Sequence, residues 1–353
     1  MAEPSSGGRR DWDQLELHPR IRAAVSRARI SSVQEILCSS ELELQKATGL
    51  SRSDVQCLLL AAASACRHHP PTPVNLLDLE KCKWLDGDLR LSLGCPLLDQ
   101  LLRGGLPVGG ITELAGESGA GKTQLALQLC LSVQFPRQHG GLSSGAVFIS
   151  TEDSFPSKRL QQLIVGQRCL RQDVPEELVR SLRFSDNIYV EHAADLAALQ
   201  KCLTQRVPLL LARGTVRLLV VDSVAALFRC EFEADDWVNR ARELTGLSST
   251  LRHLSDQFGA AVLCINQVTD VFSSDGSLGP LSSGVAPALG LTWANMVTIR
   301  LMMHRLREQV SQSGQCSALR RLEVVFAPHL ARDGCHVAVW MEGVRGVQRP
   351  ESS

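Results

Sequence analysis

Apolar runs and helical patterns alternate along the central part of the chain. Short apolar runs predict strands, at 111–115, 146–150, 187–191, 216–222 and 260–266. Apolar residues that recur every three to four positions predict helices, at 124–130, 155–167, 195–212 and 237–257. Apolar strands joined by helices are typical of an α/β fold, a mostly parallel sheet covered by helices on both faces. Later segments alternate more and predict closing strands that we expect to be antiparallel, at 295–302, 320–327 and 335–341.

The first part of the chain has a purely helical pattern instead. Apolar residues share short helical faces from 12 to 67, which predicts a small all-α domain with Ser32 and Ser53 as N-caps. The turn at 48–51 resembles the hairpin of helix-hairpin-helix modules, whose backbone N–H groups can meet a DNA phosphate. An ordinary helical turn is the alternative.

Composition shifts divide the chain further. We expect segments with these bounds: a disordered tail at 1–11, the helical domain at 12–67, a linker at 68–90, the large core at 91–346 and a tail at 347–353. The linker begins with two histidines and three prolines, and prolines forbid a helix and stiffen the connection. A solvated pair is favoured over a metal site for the histidines, because other ligands are missing nearby.

Composition and charge exclude several classes of function. Hydrophobic residues make up 44% of the 353 residues, so a substantial core is expected. Lys+Arg and Asp+Glu both total 37, so any contact with nucleic acid is expected to be local or shared with a partner. Twelve cysteines without a C-x-x-C pair suit reduced thiols of an intracellular protein. We expect no signal peptide and no membrane contact, since no stretch reaches about 18 apolar residues.

The most specific motif lies at 116–123, a full match to the phosphate-binding P-loop G-x-x-x-x-G-K-[ST]. A predicted strand precedes it and a predicted helix follows it, as the motif requires. The predicted nucleotide-binding residues are Gly116, Glu117, Ser118, Gly119, Ala120, Gly121, Lys122, Thr123 and the following Gln124. Backbone N–H groups at a helix N-terminus favour phosphate. Lys122 would reach the β- and γ-phosphates, and the Thr123 hydroxyl would ligate Mg²⁺.

Three further polar residues end predicted strands, where ligands of open α/β sheets bind. Asp222 ends a Walker B pattern and is expected to hold Mg²⁺ with Thr123, partly through water; a helix cap is the alternative. Glu152 is expected to orient or deprotonate the attacking water, which makes Glu152 and Lys122 the candidate catalytic residues; an acidic N-cap is the alternative. Gln267 is expected to sense the γ-phosphate; a satisfied polar strand end is the alternative.

These motifs, in this order, resemble the RecA-type recombinases, and within them the eukaryotic recombinase paralogues. The resemblance covers roughly 12–346 and also rests on the segments 93–99, 104–107, 111–114, 150–155, 222–229 and 265–268. It implies a RecA-like P-loop NTPase core behind the small all-α domain, with ATP and Mg²⁺ as cofactors and a weak, DNA-dependent ATP hydrolase activity. It further implies homologous-recombination repair of double-strand breaks and crosslinks in the nucleus, with some cytoplasmic, including mitochondrial, protein.

The resemblance also implies partners. These are a second recombinase paralogue in a heterodimer, single-stranded or branched DNA, and the main strand-exchange recombinase that the chain would assist. Two loops depart from the family, however: the first holds Glu231, Glu233, Asp235 and Asp236, and the second, at 269–291, has no Lys or Arg. Such loops would repel a phosphate backbone.

Two basic clusters are the remaining candidates for DNA contact, with solvated faces as the alternative. Their members are Arg20, Arg22, Arg27 and Arg29, and Arg300, His304, Arg305 and Arg307. Two other functions stay open for the whole chain: a nucleotide-gated scaffold with negligible hydrolysis, and a small-molecule kinase.

Overall fold

The computed structural model describes residues 15, 17–65, 89–152, 154–232, 236–271 and 284–348. The predicted tail at 1–11 and most of the predicted linker therefore lie outside the described residues. The same holds for Glu233, Asp235 and the centre of the second loop.

Helices form the whole described N-terminal part, as predicted. They are α1 (Pro19–Arg27), α2 (Val33–Cys38), α3 (Glu41–Thr48) and α4 (Arg52–Ala65). Ser32 caps α2 by accepting a hydrogen bond from the N–H of Glu35 at 3.1 Å, as predicted. The prediction for Ser53 is wrong, because α4 begins at Arg52 and Ser51 accepts the hydrogen bond from the Asp54 N–H at 3.2 Å. Gly49 ends α3 in the left-handed conformation, with φ of 69°.

Strands in the rest of the chain number thirteen within the described ranges. In chain order they are β1 (Arg90–Leu91), β2 (Leu106–Pro107), β3 (Thr112–Gly116), β4 (Gly145–Ser150), β5 (Ile188–His192), β6 (Val216–Asp222), β7 (Ala261–Asn266), β8 (Val268–Val271), β9 (Gly284–Pro287), β10 (Ile299–Gln312), β11 (Gln315–Phe326), β12 (Gly334–Val339) and β13 (Val344–Gly346).

One nine-stranded sheet organises the core, in the order β13-β12-β11-β10-β3-β7-β6-β4-β5. The strands from β10 to β5 pair in parallel, and those from β10 to β13 pair antiparallel. The predicted closing strands are therefore antiparallel, although β10 and β11 extend further into a long hairpin. β3, which leads into the P-loop, lies at the centre of the sheet.

Helices cover both faces of this sheet. They are α5 (Pro96–Leu101), α6 (Lys122–Ser132), α7 (Ser157–Leu170), α8 (Glu176–Ser181), α9 (Leu196–Lys201), α10 (Val207–Ala212), α11 (Val224–Cys230), α12 (Trp237–Phe258) and α13 (Gly290–Ala294). The first four contribute to one buried apolar cluster and the last five to another, on the opposite face. The predicted fold class is thus confirmed.

The predicted helix at 195–212 is interrupted. α9 passes into a π turn at Cys202–Arg206, and α10 restarts with Pro208 in its first turn. Proline lacks the N–H that a helix interior needs, so it is accommodated where a new helix begins. Leu209 and Ala212 of α10 also pack against the N-terminal helical cluster, and this contact joins the helical part to the core.

None of the helices in the described ranges combines the length and apolar content needed to cross a membrane.

Candidate nucleotide-binding site

The P-loop connects β3 to α6, as its sequence context predicts. Gly116 must be glycine because a Cβ there would lie 2.3 Å from the carbonyl oxygen of Met303 on β10. Gly121 has φ of 105° and directly precedes α6. The N-terminus of α6 therefore opens onto the loop, which is the arrangement that favours an anion.

Lys122 and Thr123 stand at the start of α6, inside this loop. The Lys122 ammonium is buried and donates to the carbonyl oxygens of Gly116 at 2.7 Å and Glu117 at 2.8 Å. Burial lowers the pKa of Lys122, while the carboxylates of Asp222, Glu152 and Glu117 oppose that shift. The lysine thus lies among carboxylates, close to the loop carbonyls.

Thr123 and Asp222 meet although they lie 99 positions apart, since the Thr123 hydroxyl donates to Asp222 Oδ2 at 2.7 Å. A hydroxyl and a carboxylate are the hard oxygen donors that Mg²⁺ accepts, together with phosphate and water. These residues fit the ion. Within the described ranges, His, Cys, Asp and Glu side chains form no group of three or more that could hold a metal ion. An ion at Thr123 and Asp222 would therefore take phosphate and water as its further ligands.

Glu152 and Gln267 also meet, at the ends of β4 and β7. The Gln267 amide donates a hydrogen bond to Glu152 Oε1. The strand ends are tied together beside them, because the Thr151 hydroxyl accepts from the Ser223 N–H at 2.9 Å and donates to the Ser223 carbonyl oxygen at 2.6 Å. Five residues that are predicted to contact phosphate, Mg²⁺ or the attacking water therefore lie close together. They are Lys122, Thr123, Glu152, Asp222 and Gln267.

Gln124 has a different environment from the rest of the predicted set. Its side-chain oxygen accepts from Nε of Arg159 at 2.5 Å, and Arg159 also donates to the carbonyl oxygens of Trp340 at 2.6 Å and Met341 at 2.9 Å. Arg159 thereby joins α6, α7 and the turn after β12. No motif in the sequence marks it.

A cleft of about 1090 Å³ contains the site. Its lining includes the P-loop, Glu152, Asp222 and Gln267, and sequence analysis missed the wall supplied by the C-terminal strands, formed by Gln315, Cys316, Arg320, Val339, Trp340 and Met341. The volume is of the order of typical small-ligand pockets. The fold of the C-terminal hairpin over the P-loop, rather than a local motif, creates this wall.

A buried polar cluster lies on the other face of the central strands. Glu113 of β3 is fully buried and accepts from Asn266 Nδ2 at 2.6 Å, from Trp293 Nε1 at 3.0 Å and from Arg300 Nε. Asn266 therefore points away from the cleft that its neighbour Gln267 lines. Arg300 is ion-paired here and does not belong to an exposed basic cluster, which corrects that part of the sequence interpretation.

The remaining arginines of the two basic clusters are exposed, and His304 is half-buried. Arg305 and Arg307 lie on the hairpin, and His304 lies 3.9 Å from Glu323. In the N-terminal cluster Arg20 lies 3.7 Å from Asp54, and Arg22 donates to the Leu15 carbonyl oxygen.

In the acidic first loop, Glu231 accepts a hydrogen bond from the N–H of Leu196 at 2.6 Å. This carboxylate is therefore bound to the backbone at the start of α9.

Comparison with protein families agrees with this architecture. The Rad51 family model matches residues 87–347. The chain belongs to the Rad51 family. A second model, the XRCC3/RpoA-like helix-hairpin-helix domain, matches residues 12–66 of this Rad51-family chain. The predicted likeness to recombinases is confirmed, and so is the predicted likeness of the helical part to helix-hairpin-helix modules.

Individual relatives are DNA repair proteins. The DNA repair protein XRCC3 of Mus musculus is 54% identical over 347 residues, covering 97% of this chain and 99% of the relative. The protein of the same name from Bos taurus is 52% identical over 338 residues, covering 96% and 98%. The DNA repair protein RAD51 homolog 2 of Homo sapiens is 30% identical over 326 residues, covering 86% and 83%. These matches support a role in DNA repair by homologous recombination. With the first two relatives, this Rad51-family chain is similar over nearly its whole length to the third X-ray repair cross-complementing protein.

Proposed function

We propose that this Rad51-family protein binds and slowly hydrolyses ATP in homologous-recombination repair. The observation that carries the proposal is the convergence of Lys122, Thr123, Asp222, Glu152 and Gln267 in one cleft. Rad51-type proteins form an ATPase family that generally needs Mg²⁺, so the cleft has the chemistry that the family uses.

Each side chain has a separate task in this proposal. When ATP binds, the Lys122 ammonium would leave the carbonyl oxygens of Gly116 and Glu117 and bind phosphate oxygens instead. The ammonium is already buried before the nucleotide binds. Thr123 and Asp222 would hold Mg²⁺, and the ion would supply positive charge beside the phosphates. Glu152 orients the attacking water, and Gln267 contacts both Glu152 and the site of the γ-phosphate.

The hydrogen bond from Gln267 to Glu152 also favours the scaffold alternative. While it persists, one carboxylate oxygen of Glu152 is occupied and is a poorer base for water. A chain that binds ATP but rarely frees Glu152 would use the nucleotide to stiffen an interface, with negligible hydrolysis.

Two variants of the full-length chain separate these functions. We expect Lys122→Ala to abolish ATP binding measured by filter assay, because it removes the phosphate-binding cation. Glu152→Gln should bind ATP normally but release no phosphate, because only the attacking water loses the carboxylate that orients it. Lys201→Ala, an exposed lysine at the end of α9, is the matched control.

Three outcomes decide the question. Absence of ATP binding by the unmodified chain would refute the proposal. Equal, background-level phosphate release from the unmodified chain and Glu152→Gln would favour the scaffold. A phosphorylated small molecule formed from ATP would revive the kinase alternative.

We further propose that the protein works in the nucleus as a heterodimer with a second recombinase paralogue. In this proposal the pair binds single-stranded or branched DNA and assists the main strand-exchange recombinase. The relatives among the RAD51 homologues support such a partnership, whereas they lend no support to the cytoplasmic or mitochondrial pool. Co-purification with a second paralogue tests the heterodimer, and recovery of the chain alone under those conditions would contradict it.

A further inference from the structure

Two arginines of the C-terminal hairpin oppose each other directly. Arg305 on β10 and Arg320 on β11 are register partners. Directly opposed residues of an antiparallel pair project from the same face, here the face on which Met303 and Leu322 pack into the cluster that contains α6. Like charges in that position repel each other, so the arrangement costs stability unless an anion lies between them.

Both guanidinium groups lie close to the P-loop. A Cβ added at Gly119 would lie 3.6 Å from Nη1 of Arg305, and one added at Gly121 would lie 3.4 Å from Nε of Arg320. The backbone N–H of Arg305 also donates to Oε1 of Glu117 at 2.8 Å, which fixes β10 against the loop. The pair therefore has a defined position beside the phosphate-binding backbone.

Neither arginine is neutralised by an acid within the described residues. No ion pair within 4.0 Å involves Arg305 or Arg320 there. Arg320 donates to Ser317 Oγ at 3.2 Å and to the Ala318 carbonyl oxygen at 2.6 Å, but its Nε is buried without a hydrogen-bond partner. Burial and the charge of Arg305 both lower the pKa of Arg320, so its positive charge is not compensated by its surroundings.

Sheet order indicates which end of a nucleotide this pair would meet. Glu152 and Gln267 follow β4 and β7, on one side of the central strand β3. Arg305 and Arg320 belong to β10 and β11, on the other side. A nucleotide whose γ-phosphate faces Glu152 would extend its ribose end toward β10 and β11, where Arg320 lines the cleft with Cys316 and Trp340.

Building on the proposed ATP-binding function, we propose that Arg305 and Arg320 bind the α-phosphate of the nucleotide. Arginine presents its N–H donors in a planar fork that suits phosphate oxygens. The two guanidinium groups would hold the ribose end of the triphosphate while Lys122 and the loop N–H groups hold the β- and γ-phosphates. The phosphate also relieves the repulsion between the two arginines.

The test compares two neighbouring arginines of β11 in the full-length chain. Arg320→Gln removes the cleft-facing charge, whereas Arg321→Gln removes the same charge from the opposite face, where Arg321 pairs with Glu323. We expect Arg320→Gln to weaken binding of ATP and of ADP by about tenfold each, since both carry an α-phosphate and one charge-assisted contact is lost. Arg321→Gln should bind both nucleotides normally, and Arg320→Lys should recover part of the loss.

Thermal unfolding without nucleotide separates binding from structure. Arg320→Gln should unfold no earlier than Arg321→Gln, because it relieves a repulsion. Three results would overturn the inference while leaving ATP binding intact: equal affinities of both variants, a loss confined to ATP, which would indicate the γ-phosphate, or a loss that accompanies lower thermal stability. Absence of ATP binding by the unmodified chain would instead refute the proposed function, and this inference with it.

Discussion

Cys316 is the one described thiol that lines the candidate nucleotide-binding cleft, and it gives the site a chemical probe. Its Sγ donates to Oε1 of Gln309 at 3.3 Å, and the residue is exposed. Two other described thiols are protected by burial, which raises the pKa of Cys202 to about 11 and that of Cys335 to about 12. Because the thiolate is the reactive form, these residues should react slowly.

We therefore expect a thiol reagent to modify Cys316 well before Cys202 or Cys335, and saturating Mg²⁺–ATP to slow the modification of Cys316 severalfold. Mass spectrometry of peptides from the full-length chain measures each site. Cys38, exposed at the end of α2, is the control that nucleotide should leave unchanged. Equal rates at Cys316 with and without ATP would show that the nucleotide does not reach this wall.

At the scale of elements, the buried Glu113 joins three neighbouring parts of the core. It links β3 to Asn266 at the end of β7, to Trp293 of α13 and to Arg300 of β10. Asn266 Oδ1 and Arg300 Nη2 have no hydrogen-bond partner, so the cluster already contains costly buried polar atoms. Loss of the Glu113 carboxylate would also leave the buried charge of Arg300 without its counter-ion.

Glu113→Gln is expected to lower the free energy of unfolding by about 3–5 kcal/mol, because Arg300 loses its counter-ion in a buried place. Urea unfolding of the full-length chain measures the change. Glu41→Gln breaks the exposed pair with Arg52 and should cost less than about 1 kcal/mol. Comparable losses in the two variants would mean that the buried pair contributes no more than a surface one.

Glu113 also illustrates which features the sequence can and cannot predict. The apolar runs located the strands of the parallel sheet to within a few residues, since burial on both faces leaves a continuous signal. Thr123 and Asp222 could be paired because each belongs to a motif with a known partner. Glu113 and Arg300, 187 positions apart, belong to no such motif, and their contact depends on the register of β3 with β10.

The β10–β11 hairpin is longer than the sequence pattern predicts, for a related reason. The alternation of apolar and polar residues is lost from 304 to 312, because this part of β10 extends past the covered part of the sheet. Side chains on both of its faces are exposed or half-buried there. Without burial, the hydrophobic period that marks a strand is lost. Cys316 and Arg320 belong to this hairpin, so the sequence pattern does not predict the cleft wall that they form.

For the whole molecule, a net charge of zero confines DNA contact to local patches. Arg300 is paired with Glu113, and Arg305 of the same strand belongs to the proposed nucleotide contact. The N-terminal helices then offer the stronger candidate, where Arg27 and Arg29 are exposed. They lie in the part that matches the helix-hairpin-helix model.

In the proposed heterodimer, Arg27→Gln combined with Arg29→Gln should weaken binding to single-stranded DNA at low salt. If each arginine neutralises one phosphate, the slope of log affinity against log salt should fall by about 1.4, since each contact contributes about 0.7 on single strands. Fluorescence anisotropy over a range of salt concentrations measures this slope. Arg180→Gln with Arg183→Gln removes the same charge elsewhere, from exposed arginines in the last turn of α8 and just after it. An equal change of slope in this control would assign the effect to overall charge and would refute a DNA contact at the N-terminal cluster.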